Sequence, residues 1–434
     1  MASDSTTAKA GKTVRFAYGW DGLEVCLPDG PDYRVFRTRP RAGLPDADAA
    51  IRQALDKPIE SAPLGDLARG RKSACVVICD ITRPVPNATL LPPILDALES
   101  SGIDRAAITI LIATGIHRPN EGEELVQLVG HEIASGYRCV NHLSREDREL
   151  RHIGQTRSGI PIYCNRHYLD ADLKVLTGFI EPHLWAGYSG GRKLILPGIT
   201  GLETMKHMHS YEMIDHPGTV YGNLENNPFH EAGLEVAAMA GIDFIVNITL
   251  NEKRQITGVF AGHYNQAHLE GVKFCETSSV VETDEPFDLA VTCGGGQPLD
   301  KTLYQTVKGM SGANPIVRPG GTILVASQCE LGAGSPEFTK LIEQAGSVDA
   351  FLAQLQQPGF FEVDQWIAQE MYQIRKTKHI AVCCEGLTAD HLRRYLLEPV
   401  GGMEAYLERF VRKHRSARIA VIPEGPYVIT RLKK

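Results

Sequence analysis

The sequence predicts an α/β protein of two domains, each a mainly parallel sheet flanked by helices, with the active site in the cleft between them. Three observations predict it. The 434 residues exceed the ~250–300 at which a single core stops growing. Hydrophobic residues make up 43% and charged residues 22% of the chain, a balance that supports buried cores and excludes disorder as the main state. Short apolar β-rich runs alternate with helical patterns almost throughout, as expected of strand–helix units that build parallel sheets.

In chain order, Ala74–Cys79 (ACVVIC) is the first clear strand, an apolar run without the polar alternation of a half-exposed strand. Leu90–Leu98 follows with apolar residues at helical spacing. Ala107–Ala113 and Leu173–Phe179 repeat the strand pattern, Phe229–Ala240 is a helix and Phe244–Leu250 a strand. The polar, acidic stretch Glu276–Pro286 closes with proline and is read as a linker. The first domain is therefore set at 1–275 and a smaller second one at 276–434. The second carries strands at Leu289–Cys293, Thr322–Ser327, Ile380–Cys384 and Ile419–Ile422, and helices at Pro336–Ala345 and Asp364–Ile374. Its tail, from about 377, has the option of packing back on the first domain. No internal repeat is visible.

Composition narrows the function classes. The 45 lysines and arginines against 52 aspartates and glutamates leave a net charge of −7. No concentrated basic face is present, so nucleic acid is not expected as a partner. The start, Met1 to Lys12, lacks the apolar stretch of a signal peptide. The longest apolar runs fall far short of the ~20 residues that span a bilayer. No membrane partner and a cytoplasmic location are expected. The ten cysteines are too few for a disulfide framework in so long a chain, and several, Cys75 and Cys79 among them, sit in apolar strand runs as small hydrophobes.

Chemistry concentrates where three strands end. Ala74–Cys79 runs into Asp80-Ile-Thr-Arg83-Pro. Ala107–Ala113 runs into Thr114-Gly-Ile-His117-Arg-Pro. Leu173–Phe179 runs into Ile180-Glu-Pro-His183 and then Gly187-Tyr-Ser-Gly-Gly-Arg-Lys193. Ligands of open α/β sheets sit beyond the carboxyl ends of the strands, so these turns are expected to converge on one crevice. For each turn alone, ordinary loop chemistry explains Asp80 as a cap and the prolines as turn formers; three together favour a site. Two histidines on separate strand ends suit a reaction that needs a base on each face of a substrate, as racemases and epimerases do, because imidazole exchanges protons near pH ~6.5.

Gly187–Lys193 is not a Walker loop: Arg192, not glycine, precedes the lysine, and Leu194 follows it. Its amides and cations still suit another nucleotide's phosphate, and Lys193, entering an apolar run, suits a nucleophile or covalent anchor. His207 and His209 are candidate metal ligands, although His-x-His on a helix points two ways. His207, His216 and His230 otherwise read as solvent-facing or capping residues. In the second half, a glycine run at 294–296 precedes Tyr304-Gln305-Thr-Val-Lys308, with Tyr304 and Lys308 on one helical face. Trp366 reads equally well as a core aromatic.

Taken together, these motifs resemble the lactate racemase family of nickel-pincer-nucleotide-dependent 2-hydroxyacid racemases and epimerases. The resemblance rests on Asp80-Ile-Thr-Arg-Pro, on Ala113-Thr-Gly-Ile-His-Arg-Pro and on the long run from Gly178-Phe-Ile-Glu-Pro-His through Ser-Gly-Gly-Arg-Lys-Leu-Ile-Leu-Pro-Gly-Ile. The His209 region, Tyr304-Gln-Thr-Val-Lys and Asp364-Gln-Trp complete it. It implies a pyridinium mononucleotide with two thio-acid arms, joined through one arm to Lys193, with nickel held by two sulfurs, a ring carbon and His209; His207 is the competing ligand. Sulfur-rich tetragonal nickel with one imidazole is chemically reasonable. The resemblance implies His117 and His183 as the acid/base pair, one for each enantiomer. It places Arg83, Lys308 and Trp366 around the substrate carboxylate, and Asp80, Tyr304 and Gln305 near the cofactor. Trp185 is expected to line the substrate pocket, and Arg118 or Arg192 to meet a second carboxylate or a phosphate. The implied activity is inversion at C2 of lactate, malate and similar short acids, with cofactor-biosynthesis proteins as partners.

Three alternatives stand beside this reading: a gluconate-type sugar-acid epimerase of the same family, a zinc-dependent hydrolase built on His207 and His209, and a nucleotide-binding protein without turnover. The paired histidines argue against the last.

Overall fold

A computed structural model describes residues 6–8 and 12–433; of the polar start only 6–8 and Lys12 are described. The chain forms two compact units, one of Pro40–His209 with His216–Ser278, the other of Met1–Arg39, Ser210–Asp215 and Ser279–Lys434. Both are mixed α/β with mainly parallel sheets.

The first unit holds a six-stranded sheet in the order Ile256–Gly262, Phe244–Leu250, Leu173–Phe179, Ala74–Cys79, Ile108–Ala113, Arg138–Asn141. All neighbours run parallel except the Phe244–Leu250/Ile256–Gly262 hairpin. The chain begins this sheet at Ala74–Cys79, adds the next two strands on one side and then returns to Leu173–Phe179 on the other. The order therefore reverses between Ala74–Cys79 and Leu173–Phe179, the place where such sheets open a crevice at their carboxyl ends. The apolar runs are explained by coverage on both faces: Val76, Ile78, Ile110, Ile112, Val175 and Val246 are fully buried in one core with the helix Asn87–Ser100, and Val77, Leu111 and Leu176, on the other face, are fully buried too.

The second unit's sheet runs Thr6–Ala8, Asp32–Val35, Arg418–Val421, Phe287–Cys293, Val317–Ala326, His379–Cys383, Glu398–Pro399. It differs from the contiguous division at 275/276 in two respects. The N-terminal Asp32–Val35 pairs parallel with Arg418–Val421, Tyr33 opposite Ile419 and Val35 opposite Val421, so the start of the chain belongs with its end. Helix Tyr211–Asp215 joins the same unit, where Gln369 Nε2 donates to the Tyr211 carbonyl at 2.9 Å and Gln373 Nε2 to Asp215 Oδ1 at 2.6 Å. The tail beyond 377 also stays in this unit, because His379–Cys383 pairs with Val317–Ala326 and Ile429–Leu432 with Val280–Thr283. Glu276–Pro286 is not an irregular linker: it contains the end of helix Gln266–Ser279 and strand Val280–Thr283. Its polar residues mark the exposed side of a strand at the edge of a unit. Among the described residues no helix is long and apolar enough to cross a membrane.

Candidate active site

At the reversal of the first sheet, the three predicted strand ends line one pocket of about 560 Å³, open solvent included. Asp80 and Arg83 come from the first strand end, Gly115 and His117 from the second, and Ser189, Gly190 and Lys193 from the turn after the third.

Asp80 is 4% exposed, and its two oxygens are both engaged. Oδ2 lies 2.7 Å from His117 Nδ1, and Oδ1 accepts from the Thr82 hydroxyl at 2.6 Å. Burial alone would raise this carboxyl's pKa; the His117 and Thr82 hydrogen bonds and the Arg83 charge outweigh it and hold the group below the ordinary carboxylate range. An ionised carboxylate can only accept, so the Nδ1 of His117 carries the proton and Nε2 carries the lone pair. The His117 side chain is half exposed at the pocket.

His183 has the opposite arrangement. Its Nδ1 accepts from the amides of Trp185 and Ala186, both at 3.3 Å, which leaves the neutral ring's proton on Nε2. His183 is not among the pocket-lining residues; it belongs to an aromatic cluster beside it. The Trp185 ring lies 5.9 Å from His183, 5.6 Å from His209 and 6.2 Å from Phe229. Trp185 is 5% exposed, so it separates the two histidines more than it lines an opening. Asn227, which caps helix Pro228–Ala240, also donates to the Trp185 carbonyl at 2.7 Å and ties the backbone there to the helix start.

His209 closes helix Leu202–Met208. It is buried, and Nδ1 donates to the Met205 carbonyl at 3.0 Å. Burial lowers its pKa to about 4, with the Lys193 charge adding to that and the Met205 carbonyl opposing it. A neutral imidazole whose Nδ1–H is tied to a carbonyl presents the Nε2 lone pair, the usual form of a metal-ligating histidine. His207 is half exposed beside Glu203, 3.7 Å away. Among the described residues no three His, Cys, Asp or Glu side chains form a metal-holding group. A nickel nucleotide that brings its own sulfur and carbon ligands needs only one imidazole from the protein, so the residues present fit that group better than a protein-built zinc site.

The turn that presents Lys193 is held by close packing. Gly190 and Gly191 have φ of 79° and 51°, and a Cβ on Gly190 would lie 2.7 Å from Asn247 Oδ1. Asn247 Oδ1 accepts from the Gly191 amide at 2.7 Å. Asn247 escaped the sequence reading, although a lone asparagine inside the apolar strand FIVNITL was the available signal. Arg192, expected to face a phosphate or second carboxylate, is instead buried behind the turn. Its guanidinium donates to the Ala186 carbonyl at 2.7 Å and lies 3.2 Å from His268 Nε2, and burial lowers its pKa to about 9. His230 is not a solvent-facing residue either: it is 9% exposed, and burial and the Arg192 charge push its pKa down to about 3. Arg118 is paired with Glu124 through both nitrogens. His216 is exposed, and its Nδ1 accepts from the Gly218 amide at 3.1 Å.

Tyr304, Gln305, Lys308 and Trp366 belong to the second unit. Thr302 caps the helix of the first three, Leu303–Ala313, by accepting from the Gln305 amide, and Trp366 lies on helix Gln365–Thr377. The Trp366 indole donates to the Tyr304 hydroxyl at 3.0 Å, and the Tyr304 ring meets Phe338 edge-on at 5.3 Å. The structure thus joins two of the expected site residues from separate helices.

Comparison with known proteins gives a consistent picture. Residues 18–222 match the family model described as the lactate racemase N-terminal domain, and residues 282–430 that described as the lactate racemase C-terminal domain. A lactate racemase of Thermoanaerobacterium thermosaccharolyticum is 33% identical over 428 residues, 97% of this chain and 99% of that one. A lactate racemase of Lactiplantibacillus plantarum is 37% identical over 385 residues, 88% and 90% of the two chains. The solved apoprotein from T. thermosaccharolyticum superposes with a TM-score of 0.90 at 32% identity, covering 97% of this chain and all of that one. A Thermotoga maritima protein shares the fold at a TM-score of 0.68 and 19% identity, over 91% of this chain and all of its own.

Proposed function

Because the chain belongs to the lactate racemase family, we propose that it is an isomerase that inverts C2 of short 2-hydroxy acids, lactate foremost, using a nickel-pincer nucleotide anchored on Lys193. The observation that carries this reading is the pocket at the sheet reversal, where the Asp80–His117 pair and Lys193 line one opening. In this reading Lys193 holds the nucleotide covalently and His209 Nε2 ligates the nickel; proteins that make the cofactor are the partners required for activation. When bound, the group supplies a centre that takes up and returns hydride.

The chain's own residues handle the proton and the orientation. His117 Nε2 takes the hydroxyl proton as the C2 carbonyl forms, and Asp80 stabilises the resulting imidazolium and keeps the ring in the tautomer that makes Nε2 the base. Arg83, which lines the pocket, binds the carboxylate. His183 serves the opposite enantiomer. In the resting structure it holds its proton on Nε2, so it begins as a hydrogen-bond donor to the substrate oxygen and becomes a base only when the Trp185 and Ala186 amides release Nδ1. The two directions are therefore chemically unequal at the outset. The pairing of Arg118 with Glu124 and the burial of Arg192 remove the two expected partners of a second carboxylate, which favours monocarboxylates over malate.

The test is chiral analysis of D- and L-lactate, malate and gluconate incubated with cofactor-loaded protein. Racemisation of lactate with the C2 deuterium retained supports the proposal. Activity confined to gluconate would overturn the short-acid reading, and rapid loss of the label to solvent would overturn the hydride mechanism.

A further inference from the structure

We infer that Asn227 is a positioning residue for His183: its side-chain amide fixes and polarises the Trp185–Ala186 peptide, whose N–H holds the histidine's Nδ1. The inference rests on the part given to His183 in the racemase reading, but the state of the ring is readable without cofactor. His183, Asn227 and the residues that join them all lie within the first unit.

Asn227 is fully buried, and both ends of its side-chain amide are engaged. Oδ1 accepts from the His230 amide at 3.2 Å and so caps helix Pro228–Ala240. The two hydrogens of Nδ2 go to the Trp185 carbonyl at 2.7 Å and the Asn223 carbonyl at 2.8 Å. The cap alone does not select asparagine, because serine and aspartate cap a helix about as well. Among these residues only asparagine adds two donors. The donors are therefore what this position requires.

They hold the turn that follows His183. The Trp185 carbonyl and the Ala186 N–H belong to one planar amide, so a donor on the oxygen fixes the plane and strengthens the N–H as a donor in turn. That N–H and the Trp185 N–H both reach His183 Nδ1, each at 3.3 Å. The next carbonyl, of Ala186, accepts from Arg192 at 2.7 Å and from the Tyr188 amide at 2.9 Å. Asn223, the other acceptor of Asn227, meets the far end of the turn: a Cβ on Gly187 would lie 2.2 Å from the Asn223 carbonyl oxygen. Gly187 has φ of 73°, and the absence of a side chain is what allows this approach. One asparagine thereby ties the start of a helix to both ends of the turn. Bonds of 3.3 Å lie near the long limit, so a small rotation of the peptide breaks them. In the racemase reading His183 Nε2–H donates to the substrate oxygen, and the same rotation frees the proton to move to Nδ1.

The experiment records ring-nitrogen NMR of the histidine-labelled full chain without cofactor, with His183→Gln assigning the signal. The expected wild-type pattern is a neutral His183 with its proton on Nε2 and a bare Nδ1. Asn227→Asp keeps the cap and the size of the side chain and, ionised, loses both donors. It should draw the shifts of the two His183 nitrogens together as the proton divides between them, while His117 and His142 keep their signals. Asn227→Ser, which keeps the cap without a buried carboxylate, should do the same and serves where the aspartate variant does not fold. In cofactor-loaded protein either variant should lower kcat for lactate by ~10–10². An unchanged His183 pattern in a folded variant, or a wild-type ring with its proton on Nδ1, would overturn the inference. So would changes at His117 and His142 as large as those at His183, which would make Asn227 a helix cap and nothing more. A changed His183 pattern with unchanged kcat would uphold the positioning and overturn the part of His183 in the racemase reading.

Discussion

Replacing Asp80 with asparagine removes one charge and one acceptor from the back of His117 while keeping the side chain's size. In the native site the carboxylate accepts from His117 Nδ1 at 2.7 Å and from Thr82 at 2.6 Å and is almost fully buried. An asparagine that turns its amide toward His117 forces Nδ1 to accept and moves the proton to Nε2, which is then no base; one turned the other way keeps the tautomer and loses the charge. A carboxylate and an imidazolium ~4 Å apart attract by ~4 kcal/mol at an effective dielectric constant of ~20, less here because the imidazole is half exposed. At ~1.4 kcal/mol per decade the charge is worth ~10²–10³ in rate, and a wrong tautomer raises the loss toward ~10⁴. Asp80→Asn should therefore lower kcat for lactate by ~10²–10⁴ with little change in KM. The assay is steady-state racemisation with loading checked by intact mass. A loaded variant with kcat within a few-fold of wild type would refute the role assigned to the pair. Stability carries a second signature. A carboxyl whose folded pKa lies below its unfolded value stabilises the fold above pH ~4, and that contribution is lost as pH falls through the folded pKa, so the variant's acid limb should be flatter.

Further predictions follow from the same geometry. His209→Ala should lose nickel while keeping the organic adduct, measured by metal analysis beside intact mass; full nickel occupancy would transfer the role elsewhere. Gly190→Ala drives a Cβ to 2.7 Å from Asn247 Oδ1 at a φ of 79° and should cost ~1–3 kcal/mol in denaturant unfolding; no loss would mean that the turn is not held as described. His142, His230 and His268 are neutral and buried, their pKa values pushed down by burial, to about 4 for His142 and about 3 for His230. Because these folded pKa values lie below the unfolded ~6.5, the unfolded state binds the extra protons as pH falls from ~6.5 toward 4, and stability should decline by up to ~1.4 kcal/mol per pH unit for each histidine. A flat stability profile across that window would contradict their burial as neutral rings.

Much of the framework was legible because its strands are buried on both faces. Ala74–Cys79, Leu173–Phe179 and Phe244–Leu250 match the observed bounds, since short, mostly apolar runs without polar alternation have few other uses. Asp32–Val35 was not legible: in DYRV only two residues face inward, and its partner lies almost four hundred positions away, a pairing no local pattern encodes. Glu276–Pro286 misled for a related reason, since exposed polar residues on an edge strand look like a linker. The convergence of Asp80, Arg83, His117 and Lys193 was readable from the polar turns that follow the strands. The burial of Arg192 and His230 was not, because a cation and an imidazole buried inside the fold have the same sequence appearance as those that face a ligand. The tautomers of His117 and His183 depend on which atoms oppose Nδ1, which only coordinates reveal.

The central claim is that Lys193 anchors a nickel nucleotide. Its most direct test is the intact mass and nickel content of wild-type protein and Lys193→Ala, each co-expressed with the enzymes that make the cofactor. The account predicts a nucleotide-sized adduct mapping to Lys193 and about one nickel per chain in the wild type, and no adduct in the variant. An unchanged adduct in Lys193→Ala, or none on wild type from cells that load another member of the family, would contradict it.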